Sequence, residues 1–173
     1  SIVTAGIGFP KTNCLRTCPG RRERLKHTSK KTMQGFDSEF INLKDYILKI
    51  THRIWEERGV DRIRDYYGEH APVKTPASIT SHVEDVVRFT LQTLHMFPDR
   101  QLLGEDVIGS EDEPGTFYSS HRILSTMTHQ GDGFFGPPTG KEVHTRIIAD
   151  CICRENQVID EWTVSYTHLT LPT

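Results

Sequence analysis

No stretch of this chain is apolar for long enough to cross a bilayer as a helix, and none resembles a secretory signal. A helical membrane protein is thereby excluded, and a cytoplasmic protein with no membrane partner is expected. Internal repeats and sustained heptads are also missing, so solenoids and coiled coils fall away. Cysteine is scarce. Cys14 and Cys18 have no matching second pair for zinc, while Cys151 and Cys153 lie two apart in an extended segment, on one face but poorly placed for a disulfide; reduced thiols are expected. No H-E-x-x-H spacing occurs, and Gly6-Ile7-Gly8 lacks the third glycine of a dinucleotide loop, so neither metal nor cofactor is expected.

What is present fits one domain with a real core: 173 residues, 35% apolar and 25% charged. The charge is uneven. Residues 1–33 hold eight Lys/Arg against Glu23, so the remainder carries 13 basic and 22 acidic groups. That basic leader has no apolar periodicity and no interleaved aromatics; it reads as disordered, not as a nucleic-acid arm, and as upstream sequence foreign to the natural protein. Residues 165–173 resemble translated adaptor sequence and are likewise expected to be foreign, leaving 34–164 as the domain.

Within that domain, Leu43, Tyr46, Ile47, Ile50 and Ile54 recur at helical spacing behind a capping Asn42, which predicts a helix over 43–58 ended by Gly59. A short helix over 60–67 follows, with Ile63 and one of Tyr66 or Tyr67 inward, then an extended piece over 71–76. A capping box, Ser81-x-x-Glu84, opens a third helix that buries Val83, Val86, Val87, Leu91 and Leu94 and stops at Pro98. Extended segments over 101–108, 117–129, 141–154 and 158–164 then alternate with turn-rich separators, which predicts an antiparallel meander. Helices first and strands after make the class α+β.

Three matches go further. Phe97-Pro98-Asp99 closes the third helix; Thr128-His129 leads through Gly133 and Gly136 to Pro137-Pro138-Thr139-Gly140-Lys141 and Val143; and the chain reaches Val158-Ile159-Asp160-Glu161-Trp162. With the helix order, these features resemble the SnoaL-like polyketide cyclases of the nuclear transport factor two-like superfamily across residues 41–162. The resemblance implies a cone-shaped fold of three helices on a curved antiparallel sheet, a homodimer, and a general acid/base Asp on the penultimate strand. Asp150 is the matching position if the following hairpin is one residue short. An ungapped reading puts Ala149 there and turns Asp150 to the opposite face. The shortened hairpin is favoured, because turns absorb length changes more easily than strands.

Alternation groups His144, Arg146, Ile148 and Asp150 on one face of that strand and Thr145, Ile147, Ala149 and Cys151 on the other. The first set is the expected pocket wall, with Asp150 as base and His121, His144 and Arg146 as candidate polarising donors; Trp55, Tyr66, Tyr67, Phe134 and Phe135 are candidates to line the cavity. The second set is the expected dimer face. An Asp among apolar walls is also how ketosteroid isomerase, of the same fold, abstracts a proton. The expected function is a cofactor-independent cyclase, isomerase or dehydratase acting on a small apolar carbonyl compound. Two alternatives stay open: a non-catalytic ligand-binding or protein-interaction module, and an Asp150 that merely pairs with Arg146 or Arg122.

Overall fold

The computed structural model describes residues 33–167. The basic leader before Met33, with Cys14 and Cys18, and residues 168–173 lie outside the described residues. Met33 is itself buried in the core.

Helix α1 spans Leu43–Thr51, and the Asn42 side chain accepts the Asp45 N–H at 2.9 Å, as a capping asparagine does. Tyr46, Ile47 and Ile50 are buried, as their spacing requires. From His52 to Glu56 the chain winds as a π-helical turn, closed by the Glu57 N–H on the His52 carbonyl. Its wider winding lets Ile54 and Trp55 both reach the interior. A 3-10 turn, Val60–Arg62, leads into α2, Ile63–Tyr66. Helix α3, Val83–Met96, departs from expectation at its start. His82 occupies the cap position without a side-chain bond, and Glu84 turns outward to receive the Arg64 guanidinium at 2.6 and 2.9 Å. Its buried stripe runs through Val87, Thr90 and Thr93, leaving Leu91 on the exposed side.

Among the described residues, six strands form one open sheet in the order β2-β1-β6-β5-β4-β3, comprising β1 Val73–Lys74, β2 Ile79–Thr80, β3 Gln101–Glu113, β4 Thr116–Thr128, β5 Glu142–Arg154 and β6 Gln157–Thr167. The meander of β3 to β6 is antiparallel, as expected. Short β1, anticipated only as an extended piece, pairs parallel with β6. Beyond Ile108, where a loop was expected, β3 and β4 stay paired until Glu113 meets Thr116 around a turn in which Gly115 takes a φ of +78°. Bulges at Glu105 and Ile159 interrupt the ladders and help curve the sheet.

Register decides which side chains face the helices. Phe117, Ser119, His121, Ile123 and Ser125 of β4 are buried, and they stand opposite Cys153, Cys151, Ala149, Ile147 and Thr145 of β5. The helix-facing side of β5 is therefore the Thr145, Ile147, Ala149 and Cys151 set, and the outer side is the His144, Arg146, Ile148 and Asp150 set. Both memberships follow the alternation, but their directions are the reverse of those expected. Apolar side chains went to the side that could be covered, as burial energetics demand.

Candidate active site

Arg154 and Gln157 close the β5–β6 hairpin around Glu155 and Asn156, whose φ angles are +50° and +65°. A two-residue turn with both residues left-handed needs no glycine when one is Asn. The hairpin is thus tight, and the strand it closes places Ala149 on the inward side and Asp150 exposed on the outer sheet surface, opposite Ser120 and Trp162. Arg146 does not pair with Asp150. It and Arg122 both reach Glu105 on β3, at 2.8 and 3.0 Å, and hold that carboxylate below its usual range. His144 is exposed beside Glu142, 3.2 Å away. Asp150, Arg146 and His144 therefore stand outside the interior, whereas His121 is 2% exposed and inside it.

The acid that does face inward is Glu161. Counting by twos from buried Val158 would place Asp160 and Trp162 inside. At the bulge, however, Cys153 pairs with Val158 and Ile152 with Asp160, so Ile159 is extra and the parity reverses. Glu161 and Thr163 turn inward, while Trp162 is 47% exposed outside. The segment after α2 holds this arrangement: Gly68 N–H donates to the Val158 carbonyl, Glu161 N–H to the Pro72 carbonyl, and Lys74 clamps Asp160 on the outer side at 2.6 and 2.7 Å. Tyr67, carried on that segment, donates its hydroxyl to Glu161 Oε2 at 2.5 Å, and Thr163 Oγ1 donates to Oε1 at 2.5 Å.

These residues enclose a cavity of about 70 Å³, walled by Ile50, Ile54, Trp55, Tyr67, His121, Ala149, Cys151 and Glu161 among others. Across the sheet, His121 pairs with Ala149 and Ala149 with Thr163; one row along, Ser119, Cys151 and Glu161 line up in the same way. His121 and Thr163 are two strands apart, about 10 Å at sheet spacing. The methyl group of Ala149 leaves the floor between them open. On its far side His121 also lines an open groove of about 460 Å³, with Leu48, Thr51, His52 and Leu102. Gly104 makes room for the ring, since a Cβ there would come 2.9 Å from His121 Nε2.

Burial acts on every ionisable group in the cavity, always against its charged form. Although Glu161 keeps some solvent contact, its carboxyl is desolvated and its pKa is raised; the hydrogen bonds from Thr163 and Tyr67 oppose that shift without cancelling it. Desolvation lowers the His121 pKa to about 4 and leaves a neutral ring whose Nε2 has no hydrogen-bond partner among the described residues. The Tyr67 hydroxyl and Cys151 thiol are pushed far up, first by burial and then by the Glu161 charge.

Of the expected lining residues, Trp55 and Tyr67 stand in the cavity wall. Tyr66 is buried to one side, where its hydroxyl accepts from Arg53 at 2.7 Å. Phe134 and Phe135 project from the 131–140 loop, 67% and 71% exposed, so the glycine- and proline-rich hairpin is no lid over this cavity. Among the described residues no cluster of His, Cys, Asp and Glu could hold a metal ion, and no helix is long and apolar enough to cross a membrane.

Comparison with protein families and with curated proteins finds no match. Solved structures do match. AclR from Streptomyces galilaeus, a candidate hydroxylase, superposes with a TM-score of 0.60 at 23% identity, covering 70% of this chain and 73% of its own. IdmH from Streptomyces antibioticus, a candidate polyketide cyclase, gives 0.59 at 18% identity over 70% and 89%. A SnoaL-like polyketide cyclase candidate from Jannaschia gives 0.54 at 18% over 72% and 85%. The chain has the fold of the SnoaL-like polyketide cyclases. On that SnoaL-like scaffold, the penultimate strand turns Ala149 inward and Asp150 outward, and the acid that faces the interior stands one strand over, at Glu161.

Proposed function

We propose that this SnoaL-like domain is a cofactor-independent acid/base enzyme acting on an apolar carbonyl compound, with Glu161 as the proton carrier. One observation carries the reading: a carboxyl group with a raised pKa faces a neutral imidazole across an otherwise apolar cavity. Ionised Glu161 takes the proton from the carbon beside the carbonyl, and the electron pair moves onto the carbonyl oxygen. The neutral His121 ring polarises that oxygen as its charge grows. The enolate then attacks a second carbonyl in cyclisation, is reprotonated elsewhere in isomerisation, or expels a leaving group in dehydration. Tyr67 and Thr163 orient the carboxylate and favour its ionised form. A cavity of about 70 Å³ has the volume of roughly two waters, so only the reacting end of a substrate enters and its body lies in the groove beyond His121.

The test is exchange of the α-protons of cyclohexanone and 2-tetralone into D2O, followed by proton NMR. The protein should accelerate exchange over buffer, and Glu161→Gln should lower the rate by roughly 10²- to 10⁴-fold, the usual contribution of a positioned base. Asp150→Asn should change nothing. Saturable ketone binding without exchange would instead support the non-catalytic module.

A further inference from the structure

Among the described residues four buried side-chain atoms lack a hydrogen-bond partner: Nδ1 of His82, Oγ of Ser119, Nε2 of His121 and Nε2 of His129. Of these residues only His121 borders the cavity and the groove described above. Its Nε2 is turned to the groove. The place a Cβ would take on Gly104 is 2.9 Å from Nε2 and 2.7 Å from Leu48 Cδ2, and Gly104 and Leu48 line the groove but not the cavity. The end of the Leu48 side chain and the bare Gly104 backbone therefore stand between this nitrogen and a ligand in the groove, and a leucine end can turn aside. Leaving a polar atom unpaired at such depth is costly, and a ligand atom that pairs with it recovers the loss.

The groove also limits what that ligand is. Its cations are already answered, Lys49 by Asp45 at 2.7 Å, Arg53 by Glu39 at 2.6 Å and His52 by Glu57 at 3.7 Å. An anionic group would have to displace one of those carboxylates, so the groove favours a neutral molecule. Leu48 and Leu102 supply apolar wall. The space beside Gly104 is too tight even for a Cβ unless Leu48 moves, so a one-atom group such as a hydroxyl fits there better than an amide or a carboxylate.

We propose that the groove binds a neutral, largely apolar molecule bearing a hydroxyl group, and that this hydroxyl donates to His121 Nε2 past Gly104. The ring proton then sits on Nδ1, which becomes the ring's one N–H donor. Identifying the hydroxyl compound with the substrate rests on the proposed function; the hydroxyl site itself does not. The substrate class narrows accordingly to apolar carbonyl compounds that also carry a hydroxyl group.

The chain has nine histidines, so the test labels the full chain with nitrogen-15 in its histidine rings and assigns His121 from the signal lost in His121→Gln. Binding of 2-naphthol should shift the His121 Nε2 resonance saturably and be at least about ten-fold tighter than that of 2-methoxynaphthalene, which has the same rings and no hydrogen to donate. Gly104→Ala should bring the two affinities together, because its Cβ presses on Nε2 and on Leu48. Glu161→Gln should preserve the preference while it suppresses α-proton exchange, so the two readings fail separately. Equal affinity for the two compounds, naphthol binding that leaves the Nε2 resonance unmoved, or a preference that survives Gly104→Ala overturns the proposal. If Gly104→Ala does not fold, the comparison in the parent protein decides alone.

Discussion

Glu161 and His121 are displaced in opposite directions by one cause, loss of water, and their effects on stability against pH have opposite signs. His121 has a folded pKa near 4 against an ordinary 6.5, so between those values the unfolded chain binds the extra proton. Stability is full above 6.5 and falls as pH drops through that window, by on the order of 3 kcal/mol for this group. Glu161 is raised above 4.5, so the folded state holds the extra proton; its contribution is full below 4.5 and is lost as pH rises through its folded pKa. Urea unfolding at a series of pH values should therefore show a shallower acid limb in His121→Gln and a smaller decline above pH 4.5 in Glu161→Gln. Unchanged slopes would mean that neither group is desolvated. At this scale the sequence was half legible. His121, Trp55 and Tyr67 could be named from it, because inward aromatics and a strand histidine carry a local signal. Glu161 stood in the matched ending but could not be assigned inward, because a bulge changes parity without a marker residue.

At the scale of elements, the sequence spoke clearly wherever period and punctuation agreed. The first turns of α1 and the order of the four long strands follow from such patterns, whereas the continuation of β3 from Gly109 to Glu113 does not. What escaped depends on tertiary partners. The capping box failed because Glu84 has a better offer from Arg64. The π-turn at His52–Glu56 has the same composition as a helix, and its end depends on Gly59, where a Cβ would sit 2.7 Å from the Arg53 carbonyl oxygen. Gly59→Ala must displace backbone and should destabilise by roughly 1–3 kcal/mol, the range for overpacking; a thermal melt within a degree of the parent would show that this close approach is relaxed. Gly104 makes a contrasting case. Its close neighbours are the ends of the Leu48 and His121 side chains, which can move. Gly104→Val should leave the fold standing and slow ketone exchange by pressing on His121 and narrowing the passage between groove and cavity.

For the molecule as a whole, the direction of the sheet's two faces governs assembly as well as chemistry. The homodimer remains the expected state, but the residues that would form it change, because Thr145, Ile147, Ala149 and Cys151 point into the core. The outer face offers Tyr118 and Trp162, 38% and 47% exposed, with the partly buried Ile148 and Ile152 between them on β5 and Asp150 in their midst. Among the described residues helices cover one side of the sheet only, and an apolar patch on the other is the kind of surface a second copy occupies by two-fold pairing. Trp162→Lys places a charge in that patch without touching the cavity wall, since Trp162 and Glu161 point to opposite faces. Light scattering at micromolar concentration should give a dimer for the parent and a monomer for Trp162→Lys, with α-proton exchange retained in both. A parent that is already monomeric would assign the outer face to solvent, and a dimer that survives the lysine would move the contact elsewhere, to surfaces such as the exposed Phe89, Phe134 and Phe135 beside α3.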